Sequence, residues 1–126
     1  MGFRLKTSKK TKKIFEELGK STNLKPFALS KLSIALSLTD ENPIDNYTSD
    51  TNGLELNRQT ITAQYDTIYK ALMQEHANKH LTDDEYFPTH TKLHIDRGAE
   101  MLKNKYVYST NLENFITQIL KGDLGV

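Results

Sequence analysis

The stretch MGFRLKTSKKTKKIFEELGKSTNLKPFALSKLSIALSL, residues 1–38, decides the fold that this sequence predicts. Phe3–Lys6 alternates apolar and basic residues, which is typical of a short strand with one face toward the core. Ser8 is a good N-cap, and apolar residues recur at helical spacing behind it, so a helix is predicted over residues 9–20. A second helix is predicted over residues 26–38, because its proline suits a first helical position.

This order predicts a small, mainly α fold of about five helices with a short N-terminal strand, as a single domain over residues 1–126. The second helix is apolar around most of its circumference, interrupted only by Lys31 and a stripe of Ser30, Ser33 and Ser37. A helix of this kind must be buried nearly all round, so we expect a homo-oligomer. The strand is too short to be stable alone, and a symmetry-related chain is one source of its partner.

Basic residues are concentrated at the same end of the chain. Residues 1–31 hold nine Lys and Arg against two acids, a net charge of +7, whereas residues 32–126 hold eight against fourteen, a net charge of −6. A basic end joined to an acidic body is typical of a nucleic-acid-binding surface, although it is also compatible with a solvated face. The candidate DNA-binding residues are Arg4, Lys6, Lys9, Lys10, Lys12, Lys13, Lys20 and Lys25.

Four of these lysines lie where they oppose the stability of the first helix. Lys9 and Lys10 are in its first turn, Lys12 and Lys13 follow, and cations near a helix N-terminus cost roughly 0.3–1 kcal/mol each. An anionic partner would reverse the sign of that cost, because ammonium groups and exposed backbone N–H groups both attract phosphate. The pattern therefore favours binding to a nucleic-acid backbone.

The rest of the chain predicts further helices separated by loops. Residues 39–59 are predicted to be an acidic loop, in which residues 54–56 form at most a brief extended segment. Two helices are predicted over residues 60–79 and 88–103. The predicted core stripe of the first is Ile61, Tyr65, Ile68 and Leu72. A final helix over residues 110–122 has a capping box at its start and apolar residues at i, i+3, i+4, i+7 and i+8.

The composition excludes several classes of protein. The chain has no cysteine, which excludes disulfides, cysteine-ligated metal sites and thiol catalysis. It is 37% hydrophobic and 26% charged, as ordinary globular proteins are. No apolar run is long enough to span a membrane and no signal peptide is recognisable, so we expect a soluble cytoplasmic protein.

Two histidine pairs raise the question of metal chemistry. His76 and His80 are four residues apart on one predicted helix, and His90 and His94 on the next, a spacing that can place two imidazoles on one face. No HExxH accompanies them, and their polar neighbours indicate a solvated surface, so we expect no metal and no cofactor. A metal-dependent DNA nickase using His90, His94 and Asp96 remains an alternative function.

The dipeptide Arg97-Gly98 is unusual, because glycine within a predicted helix costs roughly 1 kcal/mol relative to alanine. It indicates either a close helix contact, with Arg97 paired to a carboxylate, or contact of Arg97 with phosphate. The sequence leaves both interpretations open.

Several stretches, taken in order, resemble a known family. They are Arg4-Leu5 with Ser8-Lys9, the apolar helix Phe27–Leu38, Tyr65-Asp66-Thr67-Ile68-Tyr69, and Leu93-His94-Ile95-Asp96-Arg97-Gly98. The chain resembles the DndE family of the bacterial DNA phosphorothioation (Dnd) system over roughly residues 3–103. The resemblance rests on the order and spacing of these stretches, since none of them is a catalytic signature.

The resemblance implies a role in replacing a non-bridging phosphate oxygen of DNA by sulfur. It also implies a mainly helical homotetramer that binds double-stranded DNA, with a preference for nicked duplex, and that works with iron–sulfur and ATPase-like partner proteins. N-terminal lysines are implied to contact the backbone, and Lys9, Lys10, Lys12 and Lys13 match that role best. We therefore predict a DNA-binding subunit without chemistry of its own, which presents the duplex to partner enzymes.

Two further functions are compatible with the sequence besides the nickase. A ribbon-helix-helix transcriptional regulator shares the order strand, helix, helix, and it would be a dimer that reads bases with Arg4 and Lys6. A protein-only scaffold would use the basic end of the chain to bind an acidic protein.

Overall fold

The structure, a computed structural model, describes residues 3–107. Its elements in chain order are β1 (Arg4–Lys6), α1 (Lys9–Thr22), α2 (Pro26–Thr39), a 3₁₀ turn (Ile44–Asn46), β2 (Glu55–Asn57), α3 (Arg58–Ile61), a second 3₁₀ turn (Ala63–Tyr65), α4 (Asp66–Ala77), α5 (Asp83–Glu85), a π-helical turn (Tyr86–Thr91) and α6 (Lys92–Val107). The prediction of a mainly helical fold with a short N-terminal strand is confirmed. The final helix predicted over residues 110–122 lies outside the described residues. No helix within residues 3–107 has the length and apolar character needed to cross a membrane.

Strand β1 pairs with β2 of the same chain in antiparallel orientation, with Leu5 opposite Leu56. Gly53 brings the chain back to β1: its N–H donates to the Thr7 carbonyl at 2.8 Å, and a Cβ there would lie 2.1 Å from the Ser8 carbonyl oxygen. This pairing corrects the expectation that a symmetry-related chain supplies the second strand. It also removes the basis of the ribbon-helix-helix alternative, because β1 already has its partner within the chain.

Helix α1 forms as predicted. Ser8 is its N-cap, with Oγ accepting from the Thr11 N–H at 3.0 Å, and it ends before Asn23, whose φ of 62° is left-handed. Its buried apolar stripe consists of Ile14, Phe15 and Leu18. The opposite side of α1, which carries the lysines, is therefore left to solvent.

Helices α2 and α6 are in close contact at Gly98. A Cβ on Gly98 would lie only 1.7 Å from the carbonyl oxygen of Ser33 in α2. One turn away His94 contacts Ser37, so the two helices run antiparallel. Ser30, Ser33 and Ser37 are fully buried, and these small side chains allow the backbones to approach. The interpretation of Gly98 as a close helix contact is confirmed.

Arg97 is buried at the C-terminal end of α2. Its Nη2 donates to the Ser37 carbonyl and its Nη1 to the Asn42 carbonyl, both at 2.7 Å, and Nη1 lies 3.8 Å from the Asp40 carboxylate. The last carbonyl groups of a helix have no intrahelical partner, so this guanidinium satisfies acceptors that α2 leaves open. Arg97 therefore holds the α2 terminus and is not directed at solvent.

The helix predicted over residues 60–79 is broken. Ala63 has a left-handed φ of 47°, and it separates α3 from α4. The break changes which side of α4 faces the core. Met73 is fully buried, whereas Ile68 and Leu72 are 57% and 47% exposed. The predicted core stripe is correct for Ile61, which is fully buried, and wrong for Tyr65, Ile68 and Leu72, which are exposed.

The exposed side of α4 and the adjacent side of α2 form an apolar groove of about 320 Å³, the α2–α4 groove. It is lined chiefly by Ile34, Ala35, Leu38, Ile68, Tyr69 and Leu72. Elsewhere α2 packs on α6 and α1 of its own chain. Most of the apolar surface of α2 is thus covered within one protomer. The apolar composition of α2 is therefore a weaker argument for a homo-oligomer than the sequence indicated.

The helix predicted over residues 88–103 is present as the π-helical turn followed by α6. Within it, Ile95 and Leu102 are fully buried, and Leu93 and Met101 are half-buried. Just before it, Thr82 and Glu85 form a capping box on α5, so the acidic run of α5 serves a helix N-terminus.

Candidate nucleic-acid interface

The basic residues that the sequence predicts to bind DNA are all exposed. Arg4 and Lys6 project from the outer face of β1, because Leu5 between them is buried. The others are carried by α1 and by the N-cap of α2, namely Lys9, Lys10, Lys12, Lys13, Lys20 and Lys25. The fold therefore brings seven of the eight to one strand and the helix that follows it.

On α1 the lysines form a ridge opposite the buried stripe. Lys9, Lys13 and Lys20 share this ridge, because intervals of four and seven residues return an α-helix to nearly the same side. Glu16 lies on the same ridge, seven residues after Lys9, and separates the other two lysines. The positive charge of α1 is consequently concentrated in its first two turns.

The N-terminus of α1 is already occupied by protein acceptors. The Ser8 N–H donates to Asp96 Oδ1 at 3.0 Å, the Lys9 N–H to Asp50 Oδ1 at 2.8 Å, and the Thr11 N–H to Ser8 Oγ at 3.0 Å. This corrects the expectation that exposed N–H groups at this end attract phosphate. It also explains why α1 tolerates lysines in its first turns, since two carboxylates complement the helix dipole there.

Asp96 is the centre of a buried polar cluster behind the lysines. Its Oδ2 accepts from Lys92 Nζ at 2.5 Å and from Ser49 Oγ at 2.6 Å, and its Oδ1 accepts from Thr11 Oγ1 at 2.6 Å. Lys92 Nζ also donates to the Asp50 carbonyl at 2.7 Å. This buried ion pair joins α6, the loop after the first 3₁₀ turn and α1, so it fixes the position of the basic helix. The sequence had offered Asp96 only as a possible metal ligand.

Two of the eight basic residues have carboxylate partners. Lys10 Nζ contacts Glu100 Oε1, Tyr47 donates to the other oxygen of Glu100 at 2.7 Å, and Arg4 lies 3.7 Å from Glu55. Burial opposes ionisation of Glu100, but the hydrogen bonds from Lys10 and Tyr47 outweigh it and lower its pKa. The other six bases make no salt bridge with another residue of the described part of the chain.

The residues of the nickase alternative do not converge on one site. His90 Nε2 lies 3.1 Å from Asp45, and His94 Nδ1 lies 2.8 Å from Ser37 Oγ. Asp96 is engaged by the lysine and hydroxyl groups of its own cluster. Within residues 3–107 no group of three or more His, Cys, Asp or Glu is placed to hold a metal ion. The geometry therefore gives the nickase no metal centre in this region.

We expect the stability of the fold to fall as the pH drops below about 6.5, because His94 is buried as a neutral imidazole. Burial, reinforced by His76 and Arg97, lowers the pKa of His94 to about 2 from its ordinary 6.5. In this range the unfolded chain binds a proton that the folded chain does not, so each step toward acid favours unfolding. One such histidine costs about 2 kcal/mol at pH 5. Urea unfolding at neutral and mildly acidic pH measures the effect.

Two substitutions separate His94 from other titrating groups. His94→Gln retains an amide beside Ser37 but cannot titrate, so its unfolding free energy should vary less steeply with pH. His80→Gln is the matched control, because His80 is exposed and should leave the wild-type profile unchanged. Parallel pH profiles for wild type and His94→Gln would show that His94 is not the source of the acid sensitivity.

Comparisons with known proteins agree with this fold. The family model described as "DndE: DNA sulphur modification protein DndE" matches residues 4–110. Among solved structures, the crystal structure of DndE from Escherichia coli B7A, described as involved in DNA phosphorothioation modification, matches with a TM-score of 0.65 and 16% identity. The match covers 79% of this chain and 95% of that chain, and at this identity it bears on the fold alone. A search of curated proteins finds no match. Because the family model spans most of its length, the chain belongs to the DndE family of DNA sulphur modification proteins.

Proposed function

We propose that this protein is the DNA-binding subunit of a DNA phosphorothioation system and that it holds the duplex by its backbone. Membership of the DndE family supports a role in DNA phosphorothioation, with other Dnd proteins as partners. The observation that carries the DNA-binding part is the exposed set of bases on β1 and α1. Six of the eight predicted bases have no salt bridge within the described residues, so their charge is available to an anionic partner.

The spacing of the lysines suits a phosphate backbone. Lys9 and Lys13, on the part of the ridge before Glu16, are separated by about 6 Å along α1, at a rise of about 1.5 Å per residue. One strand of B-DNA carries a phosphate about every 3.4 Å of helix axis, so these lysines can contact neighbouring phosphates. Ammonium groups on flexible stems act as point charges and read no base edges. The binding we propose is therefore largely independent of sequence.

We propose that the subunit acts by binding and presentation, without catalysis of its own. Its role would be to offer the duplex to the iron–sulfur and ATPase-like proteins of the Dnd system. The engagement of His90, His94 and Asp96 with three different partners supports this proposal over the nickase.

We also propose a homo-oligomer, and specifically a homotetramer, on the resemblance to the DndE family. An assembly of four protomers would place several basic helices on one particle, and their contacts with one duplex would add through effective concentration. Sedimentation analysis of the full chain measures the subunit number directly, and a monomer at all concentrations would refute this part of the proposal.

The test of DNA binding is a titration of intact and nicked duplexes of unrelated sequence over a series of salt concentrations. If about four phosphates are contacted per protomer, log K should fall with log salt at a slope of about −3.6 per protomer engaged. Tighter binding to the nicked duplex at equal salt would support nick recognition. Absence of binding at low salt would refute DNA binding and assign the basic surface to an acidic protein partner.

A further inference from the structure

A cavity of about 410 Å³ opens at the end of the β1–β2 ribbon, and we call it the Phe3 pocket. It lies where β1 begins and β2 passes into α3, because the Arg58 N–H donates to the Phe3 carbonyl at 2.8 Å. The lining residues are Phe3, Arg58, Gln59, Ala63, Gln64 and Asp66. They combine one aromatic ring with polar side chains, so a ligand of this pocket must offer both an apolar face and polar atoms.

The ring of Phe3 is the exposed apolar wall of the pocket. Phe3 extends the pairing of β1 with β2, so it lies on the same side of the ribbon as Leu5, two residues later. Leu5 is only 3% exposed, whereas Phe3 is 57% exposed. The core therefore ends at Leu5, and the Phe3 ring projects beyond it at the pocket. An accessible aromatic face of this kind can stack on a planar ring of a ligand.

The floor of the Phe3 pocket is an ion pair that is held in place. Arg58 donates from Nε to Asp66 Oδ1 at 3.0 Å and from Nη2 to Asp66 Oδ2 at 2.6 Å. The guanidinium lies over the Tyr86 ring at 5.1 Å, and the Tyr86 hydroxyl donates to Asp66 Oδ1 at 2.8 Å. A bidentate pair of this kind fixes both side chains, and its two charges offset each other. The floor therefore suits an uncharged polar ligand better than an ion.

Two exposed amide side chains complete the lining. Gln59 precedes the break at Ala63 and Gln64 follows it, and the left-handed φ of Ala63 turns the chain between them. Each amide carries two donor hydrogens and an acceptor oxygen. The edge of a nucleobase presents donors and acceptors side by side, and its two faces are flat and apolar. An aromatic ring, a floor of offset charges and two amides thus match the chemistry of a nucleobase.

We propose that the Phe3 pocket takes up one unpaired base of DNA, which stacks on Phe3 and is hydrogen-bonded at its edge by Gln59 and Gln64. This inference rests on the proposed DNA binding, since Arg4 directly follows Phe3 and would hold a phosphate of the same strand. A base within an intact duplex is stacked and paired, so it cannot enter the pocket. A nick leaves its flanking bases paired, and the pocket therefore recognises a feature of DNA that differs from a nick.

The test compares duplexes of one sequence that are fully paired, that carry one unpaired base in a bulge, or that carry an abasic nucleotide at the bulge. Fluorescence anisotropy at roughly 0.1 M salt measures each affinity. Wild type should bind the bulge with a base about tenfold more tightly than the abasic bulge, because only the former supplies a ring for stacking. Phe3→Leu should abolish this preference.

Phe27→Leu is the matched control, because Phe27 is also exposed but lies on α2 and does not line the pocket. It should keep the full preference for the bulge with a base. The double variant Gln59→Ala/Gln64→Ala covers the case in which Phe3→Leu folds poorly. Both glutamines are exposed, so the fold should persist, and loss of their hydrogen bonds should reduce the preference about threefold or more.

Equal affinities of wild type for the two bulged duplexes would overturn this inference, while binding of the fully paired duplex would leave the proposed function standing. An equal loss of preference in Phe3→Leu and Phe27→Leu would also overturn it. Failure to bind any of the duplexes would refute DNA binding itself, and this inference with it. A free nucleoside that competes as well as the bulged duplex would assign the pocket to a small ligand instead of a base in DNA.

Discussion

Replacing Gly98 by alanine is expected to destabilise the fold by about 3 kcal/mol or more. The new methyl group would lie 1.7 Å from the carbonyl oxygen and 2.3 Å from the carbonyl carbon of Ser33. These are backbone atoms of α2, so the clash cannot be relieved by turning a side chain. The helices would have to separate, which disturbs the contacts that His94 and Arg97 make with Ser37. The gain in helix propensity, about 1 kcal/mol, is too small to offset this loss.

Gly19→Ala is the matched control for this substitution. Gly19 also lies within a helix, but a Cβ there would be 3.3 Å from its nearest neighbour, the Leu24 carbonyl oxygen. The gain in propensity and the mild crowding should nearly cancel, leaving stability within about 1 kcal/mol of wild type. Urea unfolding followed by circular dichroism compares the two variants. Equal midpoints would mean that the α2–α6 contact does not limit the stability of the fold.

Local signals in the sequence were sufficient to predict the elements at the start of the chain. Ser8 caps α1 by accepting a hydrogen bond from the N–H of Thr11, three residues further along. Pro26 favours the start of α2 through the conformation of its own backbone. Neither effect depends on distant residues. For these two helix starts, each residue and its physical reason lie in one short stretch. The Gly98 contact was one of two interpretations that the sequence left open, because a glycine within a helix is costly unless another backbone approaches.

The features that the sequence did not reveal depend on residues far apart in the chain. Asp96 accepts from the Ser8 N–H across 88 positions, and no periodicity connects the two. The break at Ala63 was missed because alanine is a strong helix former and tertiary contacts override its preference. That one residue rotated α4 and exposed Ile68 and Leu72. The α2–α4 groove was therefore beyond any argument from helical spacing.

At the candidate interface, the sequence predicted which lysines are exposed but not how their charges are balanced. Asp50 and Asp96 supply the negative charge that the first turn of α1 lacks, and Glu100 engages Lys10. The lysines are therefore not equivalent. Lys9, Lys12 and Lys13 have no carboxylate partner within the described residues, whereas part of the charge of Lys10 is already neutralised.

The triple variant Lys9→Ala/Lys12→Ala/Lys13→Ala is expected to bind duplex DNA about 500-fold more weakly than wild type at roughly 0.1 M salt. Each lost phosphate contact removes about 0.9 from the magnitude of the salt slope, so the slope should become shallower by about 2.7. The reduction should be the same for unrelated sequences, because the contacts we propose are with the backbone. Fluorescence anisotropy over a series of salt concentrations measures both quantities.

Two further variants distinguish contact at these lysines from a general change in net charge. Lys79→Ala/Lys103→Ala removes two exposed cations outside β1 and α1, and it should weaken binding much less than Lys12→Ala/Lys13→Ala, which changes the net charge equally. Lys10→Ala should cost less than Lys13→Ala, because Glu100 already competes for the Lys10 ammonium. Since every substitution is on the surface, circular dichroism should show an unchanged fold. Equal losses of affinity in the two double variants would mean that DNA binding depends only on the net charge of the protein. That result would contradict the assignment of α1 as the binding surface.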